Sequence, residues 1–282
     1  MATRARAALR LRHAFVLGLV QGPTELLPVS SSAHTTLIPL LLGWPYDSLD
    51  GELRKSFELA LHAGASVALA FDMRRELIDA AQRLDRRRVG VIALSLAPAA
   101  LAGLALRPLI ARRLGGPRAI AGGLAGGSAA MSFAELAFAS GERADGDARA
   151  GDGIALGLAQ AFALAPGVSR YGATLAVARA RGFSRVDAQT LSWHAALPVM
   201  LGASALEGVR LVRRPPAAGT GLPLAVGAAA ALVSTSLSAR LLRRPSRALR
   251  SLLPSAVYRL LLAALVLARV QRHRGADADP IG

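Results

Sequence analysis

GPTELLPVSSSAH, residues 22–34, places one carboxylate, three serine hydroxyls and an imidazole between Glu25 and His34, in a chain that is otherwise strongly apolar. The apolar stretch that leads into it, residues 14–27, is too short to cross a bilayer, which takes about 20 apolar residues. Pro28 disfavours helix at the residue before it. The expectation is a helix that enters the membrane partway, breaks at Pro28 and turns back, a geometry tolerated only where irregular backbone is buried in protein or lines a cavity. Gln21 and Glu25, four apart, share a face of the entering helix. Beyond the break Ser30, Ser31 or Ser32 caps a new helix and aims its free N–H groups and positive end at whatever sits there. His34 follows Ser31 by one turn.

The surroundings read as membrane. Of the 282 residues 53% are hydrophobic, with a mean hydropathy of +0.40. Residues 217–239 and 89–106 carry no charge, 119–138 carry only Glu135, and 251–268 carry only Arg259, so four stretches are candidates to span a bilayer. Arg4, Arg6, Arg10 and Arg12 lead into a segment that turns polar at Gln21 and Glu25, which is not the pattern of a cleaved signal, and insertion as a multi-pass protein is expected. With no cysteine, disulfides, thiolate metal sites and cysteine nucleophiles are excluded, leaving oxygen and imidazole chemistry. The net charge of +16 comes from arginines gathered between apolar runs, at 83–88, 210–214 and 240–250. That is the pattern of loops flanking membrane helices, with some attraction to anionic headgroups. An aromatic content of 4% offers little for base stacking, and nucleic acid is not expected as a partner.

Residues 140–152, SGERADGDARAGD, form the most polar stretch and read as an exposed linker at mid-chain. The sequence echoes itself on either side. Gln21 precedes Val29 and Ser30 by eight and nine residues, and Gln160 precedes Val168 and Ser169 by the same offsets; Gly64-Ala65-Ser66 and Gly202-Ala203-Ser204 follow at 34 and 33 residues. Internal repeats of this kind in membrane proteins often run in opposite directions, with the binding site where paired broken helices meet. The chain divides on this reading into a first repeat at 1–140, a linker at 141–152 and a second repeat at 153–282, all within one membrane domain.

The second break follows the short apolar stretch 153–165, at Pro166-Gly167-Val168-Ser169-Arg170. It repeats the cap and adds a guanidinium, with Gly172 allowing close approach and Thr174 supplying another hydroxyl. Two helix amino ends, several hydroxyls and an arginine make an anion site, most naturally for phosphate. Ser32, Thr35 and Thr36 read as packing residues. His62 and His194 read as buried, satisfied imidazoles, and Glu135 and Arg259 as groups that pair with a neighbour or snorkel. Glu25 and Arg170 resist such a reading, because an ionised group at mid-membrane costs about 2.5–3.5 kcal/mol even on the mild insertion scale.

Through QGPTELLPVSSSAH (21–34) and APGVSRYGAT (165–174), with FELALHAG (57–64), LPVMLGA (197–203) and VYRLLLAAL (257–265), the chain resembles the undecaprenyl-diphosphate phosphatase family associated with bacitracin resistance. The resemblance runs from one end of the chain to the other. It implies an all-α, multi-pass membrane fold with two inverted repeats and paired re-entrant helices. The implied reaction removes the terminal phosphate of a C55 polyprenyl diphosphate at the outer side of the bacterial plasma membrane, returning the carrier for cell-wall synthesis. By matching positions, the acidic pair falls on Gln21 and Glu25, the serine and histidine on Ser31 and His34, and the phosphate-gripping residues on Ser169, Arg170 and Thr174. Gln21 stands where many members have Glu, Tyr171 where Ser is usual, and Ala33 where Gly is usual; Tyr171 either narrows the phosphate pocket or points to lipid.

The resulting expectation is that Arg170 clamps the diphosphate, helped by backbone N–H groups after Ser30 and Ser169, while Ser31 or a water beside it attacks with His34 as acid–base partner. Glu25, with Gln21 as a weaker ligand, is expected to hold a divalent cation, Mg²⁺ or Ca²⁺. Partners are the polyprenyl diphosphate and membrane lipids, with a homodimer as a further expectation. The alternative function is a polyprenyl-phosphate flippase using the same anion site. The pattern of the other large lipid phosphatase superfamily, a histidine six residues after the arginine, fails because that residue is Ala176.

Overall fold

The structure is a computed structural model describing residues 8–82, 84–138, 140–213, 219–242 and 251–278. Among these residues the architecture is helical, with one isolated bridge, Arg143 to Phe183, and no strand. In chain order the helices are α1 (Leu11–Leu26), α2 (Ser31–Leu41), α3 (Gly51–Asp72), α4 (Arg74–Gln82), α5 (Arg86–Arg113), α6 (Pro117–Ala137), α7 (Ala150–Phe162), α8 (Arg170–Ala180), α9 (Arg185–Arg213), α10 (Gly221–Leu242) and α11 (Leu253–Ala278).

Among the described residues three helices contain stretches long and apolar enough to cross a membrane, Arg86–Leu106, Gly221–Leu241 and Leu253–Arg272. The fourth expected span became α6, whose GGLAGGSAA sequence dilutes its hydropathy with small residues. Large apolar side chains cover the outside: Leu104, Phe162 and Leu136 are each more than two-thirds exposed. In water such a surface would be costly. Against lipid it is the ordinary exterior.

The chain forms two compact units, interleaved along the sequence. The first comprises Met1–Leu26, His34–Gln82 and Leu197–Pro245. Its core joins α1, α3 and α10 through Leu17, Phe57, Leu61 and Ala231. Here α1 tolerates an internal proline, Pro23. A proline has no N–H for the carbonyl four residues back, in this case that of Leu19. Ser234 Oγ on α10 donates to that carbonyl instead. The approach is close because a Cβ on Gly22 would overlap the Ser234 backbone. The echoed serines also meet in this unit, Ser66 Oγ lying 3.2 Å from Ser204 Oγ.

The second unit comprises Leu27–Ala33, Arg83–Ala196 and Ser246–Gly282. Within it α5 packs on α7, and α6 packs on both α8 and α11. Gln160, the counterpart of Gln21 in the echo, is buried and donates to the Ser95 carbonyl of α5 at 2.8 Å. Glu135 pairs with both terminal nitrogens of Arg185 at 2.8 and 3.0 Å, the neighbour pairing expected for it. Most of the polar stretch 140–152 is exposed or half-buried, and Ala148 and Asp152 are buried within it. Asp152 is 1% exposed, gripped by Arg143 at 2.8 Å and Arg181 at 2.7 Å, while Arg143 also lies over the Phe183 ring. Burial pushes the Asp152 carboxyl up, but hydrogen bonds from Arg143, the Arg149 amide and Arg181 outweigh it and hold the group at about 2.

Candidate active site

Both proline-marked stretches interrupt the helices as the sequence predicts. α1 ends at Leu26, two residues before Pro28, and α7 ends at Phe162, four before Pro166. Each break contains a residue in the left-handed backbone region, Ser30 at φ 75° and Gly167 at φ 94°. Gly167 adopts this freely. For Ser30 the conformation costs on the order of 1 kcal/mol and needs surrounding structure to hold it.

In the second unit Ser169 is the N-cap of α8, its Oγ accepting from the Gly172 amide at 3.1 Å. Arg170 follows as the first residue of the helix. One of its terminal nitrogens, Nη1, is buried and has no hydrogen-bond partner. A buried guanidinium N–H without an acceptor is costly, and it sits at a helix amino end, where an anion is favoured. Thr174 is fully buried and its hydroxyl donates to the Arg170 and Tyr171 carbonyls at 3.0 and 3.2 Å, so its proton supports the first turn of α8. Tyr171 does not face lipid: its ring is buried and stacked on Trp193 at 4.7 Å.

The first break lies beside this turn. A Cβ on Gly172 would sit 3.3 Å from Pro28 Cβ and 3.3 Å from Arg259 Nη1. Arg259, on α11, is wholly buried, so it does not snorkel, and among the described residues it pairs with no acid. Its guanidinium donates to the carbonyls of Pro28 at 3.1 Å, Gly167 at 2.8 Å and Gly123 at 3.3 Å. Ser30 and Ser31 are buried at the start of α2, with Ser30 Oγ 3.4 Å from Ser32 Oγ. His34 follows Ser31 by one turn of the same helix and is also buried.

In the first unit Gln21 and Glu25 share a face of α1 as their spacing predicts. Gln21 Nε2 donates to Glu25 Oε2 at 2.9 Å and lies 3.3 Å from His62 Nδ1. His62, on α3, stands 3.5 Å from the same carboxylate oxygen. It is only partly buried, which corrects its reading as a buried imidazole, while its contacts to Gln21 and Glu25 make it a satisfied one. Among the described residues no three of His, Cys, Asp and Glu converge as a metal cage. Gln21 Oε1, however, is buried without a partner beside the Glu25 carboxylate. Two such oxygens fit a cation of the Mg²⁺ kind, which binds through one or two protein oxygens, substrate phosphate and water.

Residues 14–265 match the family described as bacitracin resistance protein BacA. The chain belongs to that family. It is 35% identical to an undecaprenyl-diphosphatase of Pelobacter propionicus over 272 residues, covering 92% of this chain and 97% of the relative. An undecaprenyl-diphosphatase of Geobacter metallireducens is 37% identical over 271 residues, covering 90% and 96%. That of Geobacter sulfurreducens is also 37% identical, over 92% and 97%.

Two residues gained weight only in three dimensions. Arg259 had a signal, a lone charge within an apolar span, which is expensive unless it has a task. His62 had only its place in FELALHAG, one of the stretches that carry the resemblance.

Proposed function

We propose that this protein is a membrane phosphatase that hydrolyses undecaprenyl diphosphate to the monophosphate and inorganic phosphate, recycling the lipid carrier for cell-wall synthesis. The family assignment gives the reaction class. The observation that carries the site is the buried, partnerless Nη1 of Arg170 at the amino end of α8. A diphosphate oxygen is the acceptor that nitrogen lacks.

On this reading Arg170 clamps the diphosphate through its planar fork. Amide N–H groups at the starts of α2 and α8 add hydrogen bonds that strengthen as negative charge builds on the phosphoryl oxygens. Ser31 Oγ, or a water beside it, attacks the terminal phosphorus and the P–O–P anhydride bond breaks, with undecaprenyl monophosphate as the leaving group. The proton of the attacking hydroxyl passes to His34, one turn away. On the serine route water then releases phosphate from Ser31. Ser30 and Ser169 hold the turns that present these amides, and Thr174 holds the first turn of α8.

A divalent cation, Mg²⁺ or Ca²⁺, would be held by Glu25 and Gln21 Oε1. When bound it would neutralise phosphate charge. Hydrolysis is favoured over lipid translocation because binding alone has no use for a hydroxyl and an imidazole one turn apart on α2. The two broken helix pairs are read as re-entrant segments of an inverted repeat, opening to the outer side of the plasma membrane.

The test is release of phosphate from farnesyl or longer polyprenyl diphosphate by purified protein in detergent, with and without divalent cation, beside Glu25→Ala and Arg170→Ala. Cation-dependent release lost in both variants is the expected result. Lipid movement in sealed liposomes with no release would favour the flippase. Trapping a phosphoenzyme, and the activity of Ser31→Ala, separates the serine route from the water route.

A further inference from the structure

Arg259 is a fully buried cation with no carboxylate in ion-pair reach among the described residues. Burying an uncompensated charge is among the most expensive arrangements in a protein interior. Here the compensation is all backbone: three carbonyl oxygens, those of Pro28, Gly167 and Gly123, with Met131 Sδ at 3.7 Å. Two of the three belong to the two helix breaks, one to each. Pro28 lies two residues before Ser30 and its left-handed backbone; Gly167 is itself left-handed and lies two residues before the Ser169 cap.

The path of the guanidinium is cleared by glycine. A Cβ on Gly127 of α6 would overlap Arg259 Nη2, and a Cβ on Gly123 would overlap the Pro166 carbonyl. A Cβ on Gly172 of α8 would crowd Arg259 Nη1 and Pro28 together. Three backbones therefore close around one planar group whose donors are set in a rigid fork.

We propose that Arg259 is a positioning residue for the reaction: by holding the Pro28 and Gly167 carbonyls on one guanidinium, it fixes the Ser30–Ser31 turn in register with the Ser169–Arg170 turn. It touches no reacting atom. It acts through the backbone that aims those turns, and the proposal rests on the phosphatase reading above. A misplacement of about 1 Å in such an arrangement can cost 10²-fold in rate. Substrate affinity, dominated by the long prenyl chain, should change far less.

The experiment compares Arg259→Gln, Arg259→Lys and Gly127→Ala with wild type in detergent, measuring kcat, KM and melting temperature on a polyprenyl diphosphate. The expected result is a fall in kcat per folded molecule on the order of 10–100-fold with KM little changed. Lys should stay close to Gln, because an ammonium keeps the charge but loses the fork. Gly127→Ala leaves Arg259 in place and only displaces its tip, so the same kcat loss there supports positioning even where the Arg259 variants do not fold. Wild-type kcat in Arg259→Gln or in Gly127→Ala overturns the proposal, as does a loss that follows only the folded fraction. Failure of the wild-type protein to release phosphate would instead overturn the phosphatase reading.

Discussion

Ser234 Oγ on α10 donates to the Leu19 carbonyl of α1, the acceptor that Pro23 leaves without its helical partner. A local defect in one helix is thus repaired by a residue 215 positions away. Ser234→Ala should cost about 1 kcal/mol, the usual scale for stranding a buried acceptor or losing an interhelical hydrogen bond in a membrane protein. Pro23→Ala returns the missing N–H, so the Ser234→Ala cost should shrink in the double variant. Unfolding free energies in a double-mutant cycle measure that coupling.

Arg170 offers a buried nitrogen with nothing to bind, and a diphosphate would supply the acceptor. Arg170→Ala should lower kcat/KM on the order of 10²–10³, as for the loss of a strong electrostatic donor. Arg170→Lys should recover only a small part, because one ammonium does not reproduce a two-toothed grip. Phosphate release against substrate concentration reads both.

His62 stands beside the oxygen of Glu25 that also accepts from Gln21. Groups that orient a ligand typically account for 10–100-fold in metal affinity. On the proposed reading of Glu25 as a cation ligand, His62→Ala should therefore raise the Mg²⁺ concentration giving half-maximal activity about tenfold or more. Gln21→Glu should lower it, since a second carboxylate replaces an amide oxygen. A cation titration of activity at fixed substrate checks both directions.

Asp152 gives an acid-side signature outside the membrane spans. Its carboxyl is held at about 2, below the ordinary 3.8, so the folded form keeps it ionised where the unfolded chain would protonate it. The stabilisation is complete above pH about 4 and is lost as the pH falls through about 2. The melting temperature of the wild type should drop across that window. Asp152→Asn should start lower and change less there, which a pH series of thermal melts would show.

Local features made much of the site legible. Pro28 disfavours helix at the residue before it, and α1 ends two residues ahead of it. Gln21 and Glu25 share a face because a helix turns every 3.6 residues. Ser169 caps α8 because its hydroxyl reaches an amide three residues ahead. Each needs only neighbouring residues. Composition alone does not reveal that Arg181, 29 residues on, closes over Asp152 at the end of the polar stretch.

The sequence by itself determined a helical membrane chain with two interrupted segments, each carrying hydroxyls and one an arginine, because those signals reside in composition, proline and short spacings. Only the tertiary structure decided that His62 joins Glu25 from 41 residues beyond Gln21, and that Arg259 reaches 92 and 231 residues back to Gly167 and Pro28. The reason is physical: a lone buried charge states its cost in the sequence, but which carbonyls offset that cost depends on where close-packed helices bring distant backbone together.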